Sequence, residues 1–259
     1  MPFFTSIKMR IALGIEYNGS QFHGWQCQPS LRTVQDVVSK ALAKVANETI
    51  PKIICAGRTD AGVHALEQVV HFDTNVLRPD DSWVKGTNTY LPNDVAIKWA
   101  KQVNDDFHAR FSAVRRHYRY TIANQKIRPA IMREQFAWYP RKLDEKKMVE
   151  AAKYLLGKHD FSSFRDSNCQ AKSPIREIYM LDIVRHEHLI TIDIVANAFL
   201  HHMVRNITGV LLAIGIGKYS PDWMNKVLQS CDRREGDITA QPQGLCLVKV
   251  DYPRSCSWA

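Results

Sequence analysis

The sequence contains no long apolar run. None of its 259 residues lies in a stretch approaching the roughly 18 uninterrupted apolar residues that a membrane-spanning helix needs. The first ten residues, Met-Pro-Phe-Phe-Thr-Ser-Ile-Lys-Met-Arg, also lack an apolar segment of signal-peptide length. We therefore expect a cytoplasmic protein that is neither exported nor inserted in a membrane.

Paired cysteines are also missing, although the chain has six cysteines: Cys27, Cys55, Cys169, Cys231, Cys246 and Cys256. They form no Cys-x-x-Cys pair and have no histidine partners at the spacing of zinc ligands. His201-His202, without further ligands, is a poor metal site. We expect reduced, mostly structural thiols and no bound metal.

The sequence has no nucleotide-binding fingerprint. Gly215-Ile-Gly-Lys-Tyr219 lacks the upstream glycine and the Ser or Thr of a phosphate-binding loop. No dinucleotide-binding glycine motif occurs elsewhere in the chain. These absences predict a protein without a nucleotide cofactor.

Acidic residues are fewer than basic ones, 26 against 35, which gives a formal net charge of +9 and a pI near 9.3. Clustered basic side chains gain free energy by releasing the counterions condensed on phosphates, so a polyanionic partner is indicated. Composition leaves that partner open, since many basic proteins bind no nucleic acid. With 45% apolar residues, the chain can bury a substantial core.

The hydrophobic pattern predicts helices and strands mixed in both halves of the chain. Helical spacing follows Thr33, whose Asp36 three residues on resembles a capping box. Another helix is indicated over 143–156, a third by the apolar stripe over 203–214, and a short one from Pro221. The predicted strands lie at 10–17, 52–56, 68–72, 117–122, 177–184, 189–196 and 245–250. No low-complexity segment or linker interrupts the chain, so an α+β fold with one continuous sheet is predicted.

Glycine is scarce, with 12 residues, yet two glycines flank Arg58 and Asp60 in Cys55-Ala-Gly-Arg-Thr-Asp-Ala-Gly-Val-His-Ala65. Glycines permit tight turns and the close approach of another backbone. A carboxylate with an ordinary pKa of about 3.9 is ionised at pH 7 and attacks carbon without a partner base. The alternative is a plain turn stabilised by an Arg–Asp ion pair.

This loop resembles the catalytic motif of the TruA family of tRNA pseudouridine synthases. Further segments are similar to family segments and occur in the family order: Glu16-Tyr-Asn-Gly-Ser-Gln-Phe-His-Gly-Trp-Gln26, Asp106-Phe-His-Ala-Arg-Phe-Ser112, His117-Tyr-Arg-Tyr120, Ala198-Phe-Leu-His-His-Met-Val-Arg-Asn-Ile207 and Gly244-Leu-Cys-Leu247. The resemblance covers essentially the whole chain.

The resemblance implies a pseudouridine synthase fold of α+β type. Two ferredoxin-like halves would share a central, mostly antiparallel sheet, with the catalytic cleft between them. We place the first half at 1–105, with the Asp60 loop. The second half, 106–259, would carry Tyr118, Arg205 and the tRNA-contact loops.

In the family, the aspartate matching Asp60 is the catalytic nucleophile. The reaction detaches uracil from ribose, rotates it and rejoins it through carbon, which requires neither a cofactor nor a metal. Tyr118 matches the active-site tyrosine, and it would stack on the flipped uracil beside Tyr120 or assist proton transfer. Arg205 matches the arginine that pairs with the nucleophile. On residues alone, Tyr118 is more often a core tyrosine. Arg205 lies about 200° around the helix from Met203, and Gly209 one turn later leaves that helix face open, so the arginine either points into a site or is a solvated helix residue.

The other matches are RNA contacts. Arg58 is the candidate to fill the space that the flipped base leaves. The resemblance assigns tRNA contact to a basic, aromatic loop and a polar loop: Phe107, His108, Ala109, Arg110 and Phe111, and Asn168, Cys169, Gln170, Ala171 and Lys172. Arg78, Lys126 and Tyr139 match peripheral tRNA contacts, although a lone basic residue is more often a solvated charge.

The implied activity is isomerisation of uridine at positions 38, 39 and 40 in the anticodon stem-loop of tRNA, by a homodimer that reads RNA shape. Two alternatives remain. A glycosylase using Asp60 would release free uracil, and an RNA-binding module would keep its biological activity after replacement of Asp60.

Overall fold

The computed structural model describes residues 9–50, 52–254 and 256. They form two compact units, one running to Val114 and resuming at Val248, the other spanning Arg115–Leu247. Residues 106–114 and the chain from Val248 onward therefore group with the first unit, whereas we expected them in the second half. Of the N-terminal residues in which we expect no signal segment, residues 1–8 lie outside the described part of the chain.

The first unit has the element order β-α-β-β-α-β: β1 (Met9–Tyr17), α1 (Val34–Ala46), β2 (Ile54–Cys55), β3 (His64–Thr74), α2 (Asp80–Tyr90) and β4 (Val95–Val103). Its strand order is β4-β1-β3-β2, and each neighbouring pair is antiparallel. This is the ferredoxin-like, split β-α-β arrangement. The prediction of a ferredoxin-like first half is confirmed.

Helix α1 begins after Thr33, as the sequence pattern indicates. It buries one apolar face made of Val34, Val38, Ala41, Leu42, Val45 and Ala46. The predicted capping box does not form, because the buried Thr33 hydroxyl makes no hydrogen bond to the helix. Burial of the apolar face therefore stabilises α1 more than its N-terminal cap does.

The sequence pattern indicates neither α2 nor β4. Helix α2 buries only Trp83 and Thr87, so it lacks the apolar stripe that marks an amphipathic helix. Strand β4 alternates buried and exposed residues only over its first four positions, Val95 to Lys98. Both elements depend on packing against the rest of the unit.

The second unit contains β5 (Arg115–Ala123), β6 (Ala137–Trp138), α3 (Glu145–Ala152), β7 (Gly157–Asp160), β8 (Ile175–His186), β9 (Leu189–Ala196), α4 (Met203–Gly215), α5 (Trp223–Ser230) and the first three residues of β10 (Leu245–Asp251). Its strand order is β10-β5-β9-β8-β7, with β6 parallel to β5. The β5–β9, β9–β8 and β8–β7 pairs are antiparallel. The succession β5-α3-β8-β9-α4-β10 is again ferredoxin-like, which confirms the prediction for this half.

The helix predicted over 143–156 and the strands predicted over 177–184 and 189–196 are all present in the second unit. Helix α3 is shorter than the predicted 143–156, because Asp144 caps its first turn and the chain tightens into a 3-10 turn at Lys153–Leu155. Strands β8 and β9 are joined by a tight turn in which Glu187 has a φ of 52°. Among the described residues, no helix is long and apolar enough to cross a membrane.

Candidate functional site

The loop that carries Asp60 connects β2 to β3 and is tied to β3. The Ala56 N–H donates to the Val69 carbonyl at 2.8 Å. The side chain of Gln68, fully buried, donates from Nε2 to the Gly57 carbonyl at 2.6 Å. The loop therefore leaves β2 in a defined direction before it reaches Asp60.

Thr59 anchors the middle of this loop. Its hydroxyl lies 2.7 Å from the Tyr17 hydroxyl, and its carbonyl accepts the Trp25 N–H at 3.0 Å. Gly24 has a φ of 84°, and a Cβ there would lie 2.8 Å from the Thr59 carbonyl oxygen. Only glycine lets the chain pass this close. The 16–26 segment therefore holds the residue directly before Asp60.

Burial alternates along the loop. Thr59 is 6% exposed, whereas Arg58 is exposed and Asp60 is half-buried. The loop's other potential nucleophile, Cys55, is buried, and burial raises the pKa of its thiol to about 12. A thiol with that pKa stays protonated at neutral pH, which makes Cys55 a poor nucleophile.

The backbone of segment 107–111 is held by hydrogen bonds from side chains of the first unit. Arg10 donates through its guanidinium to the carbonyls of Asp105 and Phe107, at 2.5 and 2.8 Å, and pairs with Asp73. The Tyr252 hydroxyl donates to the Ala109 carbonyl at 2.7 Å. The segment is thus a held loop with a fixed backbone path.

His71 also contacts the 107–111 loop, through a hydrogen bond to its backbone. Its Nδ1 accepts the Ala109 N–H at 3.0 Å, so Nδ1 carries no proton. Burial, with the charge of Arg10 and His108 nearby, lowers the pKa of His71 to about 4. The ring is therefore neutral at pH 7, and its neutral form is the one that the hydrogen bond needs.

The two phenylalanines of the loop have different environments. Phe107 is 4% exposed and packs against the His71 ring, whereas Phe111 is 76% exposed and stacks on His108 at 4.3 Å between ring centroids. Arg110 is exposed next to Phe111. One face of the loop packs in the hydrophobic core, and the other presents an aromatic ring and a cationic group to solvent.

Tyr118 lies on β5 in the second unit and is buried at 8% exposure. Its ring meets Phe199 edge-to-face at 5.0 Å. Tyr120, two residues along the strand, is fully buried and donates its hydroxyl to the Gln241 carbonyl at 2.7 Å. Burial raises the pKa of Tyr120 above its usual range. The expectation that Tyr120 adds to an aromatic platform is therefore wrong.

Arg205 is the single residue of α4 that is not buried. Its Nε donates to the Ala240 carbonyl at 2.8 Å, and the Ala240 N–H donates back to the Arg205 carbonyl. The expectation that Gly209 leaves this helix face open is wrong, because a Cβ there would lie 1.8 Å from the Ile238 carbonyl oxygen. The 238–240 segment crosses α4 at this glycine and orients the guanidinium.

Asn206 ties the same segment to α4. It is 2% exposed; its Nδ2 donates to the Phe164 carbonyl at 2.9 Å, and its Oδ1 accepts from Thr239 and Arg233 at 2.7 and 3.1 Å. The sequence pattern did not predict this role. The available signal is a polar amide within an otherwise apolar helix stripe, since a buried amide needs partners.

The residues of segment 168–172 are exposed or half-buried. Hydrogen bonds from the preceding part of the chain hold the segment's backbone. Arg165 donates to the carbonyls of Cys169 and Ala171 at 2.8 and 2.9 Å. The His201 N–H lies 3.4 Å from the Cys169 sulfur. The segment's backbone is thus linked to the turn that precedes α4.

Asp166 is a further organising residue that the sequence pattern did not predict. Its carboxylate lies 3.2 Å from His201 Nδ1 and 3.0 Å from His202 Nδ1, and those two rings stack at 4.0 Å. Burial raises the pKa of Asp166, but the Asn168 N–H and both imidazoles outweigh it, so the pKa is lowered overall. An ionised carboxylate thus links two turns of the second unit.

A model of the tRNA pseudouridine synthase family matches residues 14–112 and 151–253, which is more than half of the chain. The chain belongs to this family. A relative, tRNA pseudouridine synthase A of Coxiella burnetii (strain Dugway 5J108-111), is 55% identical over 244 residues, covering 94% of this chain and 93% of that protein. The proteins of the same name from Nitrosococcus oceani and Vibrio campbellii are 57% and 54% identical, covering 95% of this chain and 94% and 92% of their own.

Two solved structures are also similar, at lower levels. The archaeal box H/ACA sRNP Nop10–Cbf5 complex contains a chain 10% identical, with a TM-score of 0.35 over 86% of this chain and 59% of that one. A chain of a Cbf5–Nop10–Gar1 complex is 12% identical, with a TM-score of 0.32 over 78% and 54%.

The positions predicted from the family of tRNA pseudouridine synthases are divided between the two units. Arg58, Asp60, Arg78 and 107–111 lie in the first unit, and Tyr118, Lys126, Tyr139, 168–172 and Arg205 lie in the second. Arg78 is exposed just before α2, and Lys126 is exposed just after β5. Tyr139 is half-buried, with its backbone bonded to Ala123 and Asn124.

Proposed function

We propose that the protein converts uridine to pseudouridine at positions 38, 39 and 40 in the anticodon stem-loop of tRNA, with Asp60 as nucleophile. The supporting observation is the Asp60 loop, in which Thr59 is buried and hydrogen-bonded, whereas Arg58 is exposed and Asp60 is half-buried. Membership of the tRNA pseudouridine synthase family supports the same activity.

The reaction is an isomerisation. The bond between uracil N1 and the anomeric carbon breaks, the base rotates, and a bond forms between uracil C5 and that carbon. The proton on C5 leaves and N1 gains one, so no water or redox partner is consumed. The Asp60 carboxylate supplies the electron pair for a transient bond, and both the base ring and the anomeric carbon are compatible with its attack.

Tyr118 and Arg205 are proposed to act on the substrate and on the carboxylate. Tyr118 stacks on the flipped uracil or assists removal of the C5 proton. Its buried ring is held edge-on by Phe199, which limits its rotation. Arg205 is proposed, by family resemblance, to keep the nucleophilic carboxylate ionised and oriented.

The RNA contacts follow from exposure and charge. Arg58 is proposed to enter the space that the flipped base leaves. Arg110 and Phe111 present a cation and an aromatic ring on a fixed loop, and 168–172 supplies polar groups and Lys172. The net charge of +9 favours a polyanion.

A homodimer in the cytoplasm is proposed on the family resemblance. A folded tRNA is a large substrate, comparable in size to one 29.7 kDa chain. Two subunits would let it lie across both and present one anticodon stem-loop to one active site.

The test is tritium release from carbon-5-tritiated uridine in unmodified tRNA, with nucleoside analysis after digestion. We expect the wild type to release tritium and form pseudouridine, and Asp60→Asn to do neither. Asp36→Asn replaces a half-buried carboxylate on α1 that pairs with Lys40; it is the matched control and should stay active. Free uracil as product would indicate a glycosylase, and tight tRNA binding without product would indicate a binding module.

A further inference from the structure

A basic groove of about 540 Å³ lies in the first unit, beside α1 and α2. None of its groups takes part in the chemistry proposed above. Its lining is formed by Lys44, Val45, Arg78, Asp81, Ser82, Lys85, Gly86 and Tyr90. We call it the α1–α2 groove.

Helices α1 and α2 pack closely at Gly86, which has no side chain that could fill the groove. A Cβ on Gly86 would lie 3.3 Å from both methyl carbons of Val45, which is tighter than ordinary van der Waals contact. The bare backbone of α2 therefore meets a branched side chain of α1. The longer side chains around this point form walls, and the space between them stays free.

The walls carry a surplus of positive charge. Three cationic side chains, Lys44, Arg78 and Lys85, line the groove with a single carboxylate, Asp81. Lys85 and Asp81 pair at 3.2 Å, but their side chains are 80% and 82% exposed. An ion pair that exposed is weak, so water and an incoming anion compete for Lys85 readily.

An aromatic ring completes the groove. Lys44 Nζ lies 5.0 Å from the centre of the Tyr90 ring, and Tyr90 is 51% exposed. The ring holds the ammonium group by a cation–π contact while leaving its other donors available. A lysine ammonium binds phosphate as a point charge, without reading base identity.

We propose that the α1–α2 groove binds backbone phosphodiester groups of the tRNA, with Lys44 and Lys85 as contact residues in addition to Arg78. This inference rests on the proposed function and adds an RNA-backbone subsite to it. The cations are distributed over α1, α2 and the segment before α2, so they can meet neighbouring phosphates of one strand. An open groove suits a passing strand better than a small free anion.

The test is the salt dependence of tRNA binding by Lys44→Gln/Lys85→Gln. Each lost phosphate contact should lower the slope of log Kd against log salt by about 0.7 to 0.9, so the slope should fall by about 1 to 2. At about 0.1 M salt, we expect Kd to rise about fivefold, with the single-turnover rate at saturating tRNA unchanged.

Lys226→Gln is the matched control. Lys226 makes the same kind of exposed i,i+4 pair, with Asp222 at 2.9 Å, on α5 of the second unit. It should leave both the slope and Kd as in the wild type. Thermal melts check folding, and Lys85→Gln alone is the second variant should the double variant unfold.

An unchanged slope and Kd in the folded variants, with an active wild type, would overturn the inference and leave the proposed function standing. A wild type that binds tRNA and makes no pseudouridine would instead remove the proposed function. The source of the phosphate is tested with inorganic phosphate at constant ionic strength. Phosphate that binds wild type but not the double variant, together with unchanged tRNA binding, would assign the groove to a free anion and overturn the RNA subsite.

Discussion

At the scale of single residues, Thr59 shows how a buried hydroxyl can serve a neighbouring carboxylate. Its side chain is hydrogen-bonded to Tyr17 and its carbonyl to Trp25, both in the 16–26 segment, whereas Asp60 is half-buried. The contacts of Asp60, the proposed nucleophile, are therefore only part of what positions it. Part of the backbone restraint acts one residue earlier in the chain, at the Thr59 carbonyl.

Thr59→Val tests this restraint, because valine keeps the shape and removes the hydroxyl. Tyr17, 3% exposed, loses that partner, and we expect a loss of about 1 to 3 kcal/mol in unfolding free energy. We also expect kcat to fall more than tenfold with tRNA Kd nearly unchanged, measured by single-turnover assay and filter binding. Adding Tyr17→Phe should recover part of the stability, since both partners are then apolar. Equal loss in Kd and kcat would contradict the positioning role.

His71 leads to a prediction about pH. Unfolded histidine takes up a proton near pH 6.5, whereas folded His71 does so near pH 4. Between these values the unfolded chain binds more protons, so stability falls as the pH drops through that window. His71→Asn keeps an acceptor for the Ala109 N–H and does not titrate. Melts from pH 4.5 to 7.5 should show a flatter profile for the variant, and parallel profiles would refute the assignment.

At the scale of elements, α4 is an almost wholly buried helix that exposes one arginine. The 238–240 segment crosses it at Gly209, and its Ala240 carbonyl accepts from Arg205. Asn206 binds Thr239 from the same helix turn. The orientation of Arg205 is thus decided by a distant part of the chain that packs on the helix.

Gly209→Ala should disturb this crossing. The new Cβ would lie 1.8 Å from a backbone oxygen of Ile238, so the crossing segment must move, at about 1 to 3 kcal/mol of unfolding free energy. Activity should fall as well, because the partner of Arg205 moves. Gly215→Ala in the same helix is the control, since its Cβ meets only side-chain atoms of Leu143 and Met148 at 2.9 Å. Urea unfolding and tritium release should rank Gly209→Ala as the worse variant, and equal effects would contradict the crossing argument.

At the scale of the whole molecule, charge and assembly decide how a large RNA is handled. The net charge of +9 is distributed over exposed groups such as Arg58, Arg110 and Lys126. Counterion release from several such contacts makes tRNA binding strongly dependent on salt. Affinity is therefore a property of the whole surface, whereas the chemistry is confined to a few residues.

The proposed homodimer can be tested directly by measuring the molecular mass in solution. Light scattering coupled to size exclusion should give about twice the chain mass of 29.7 kDa at micromolar concentration. Adding tRNA should give a complex that retains two protein chains. A mass of one chain in both samples, with full pseudouridine synthesis, would show that the monomer suffices.

Periodicity and motif together determine much of this protein from the sequence. The strand starting near Arg10, the helix after Thr33 and the 189–196 strand are local patterns whose apolar residues share one face, so they form where they are predicted. The Asp60 loop is recognisable because its glycines and its Arg-x-Asp pair are adjacent in the chain.

The tertiary structure alone decides the rest, because its causes are distant in sequence. Helix α2 has no apolar stripe that the sequence could reveal. The residues next to Tyr120 in the chain do not show that its ring is fully buried. Likewise, the residues around Gly209 do not show that the 238–240 segment covers α4 there. The roles of Asp166 and Asn206 depend on partners about 35 residues away or more, His201, His202 and Phe164. Sequence patterns report which face of an element is apolar, whereas hydrogen-bond partners and steric limits exist only once the elements pack together.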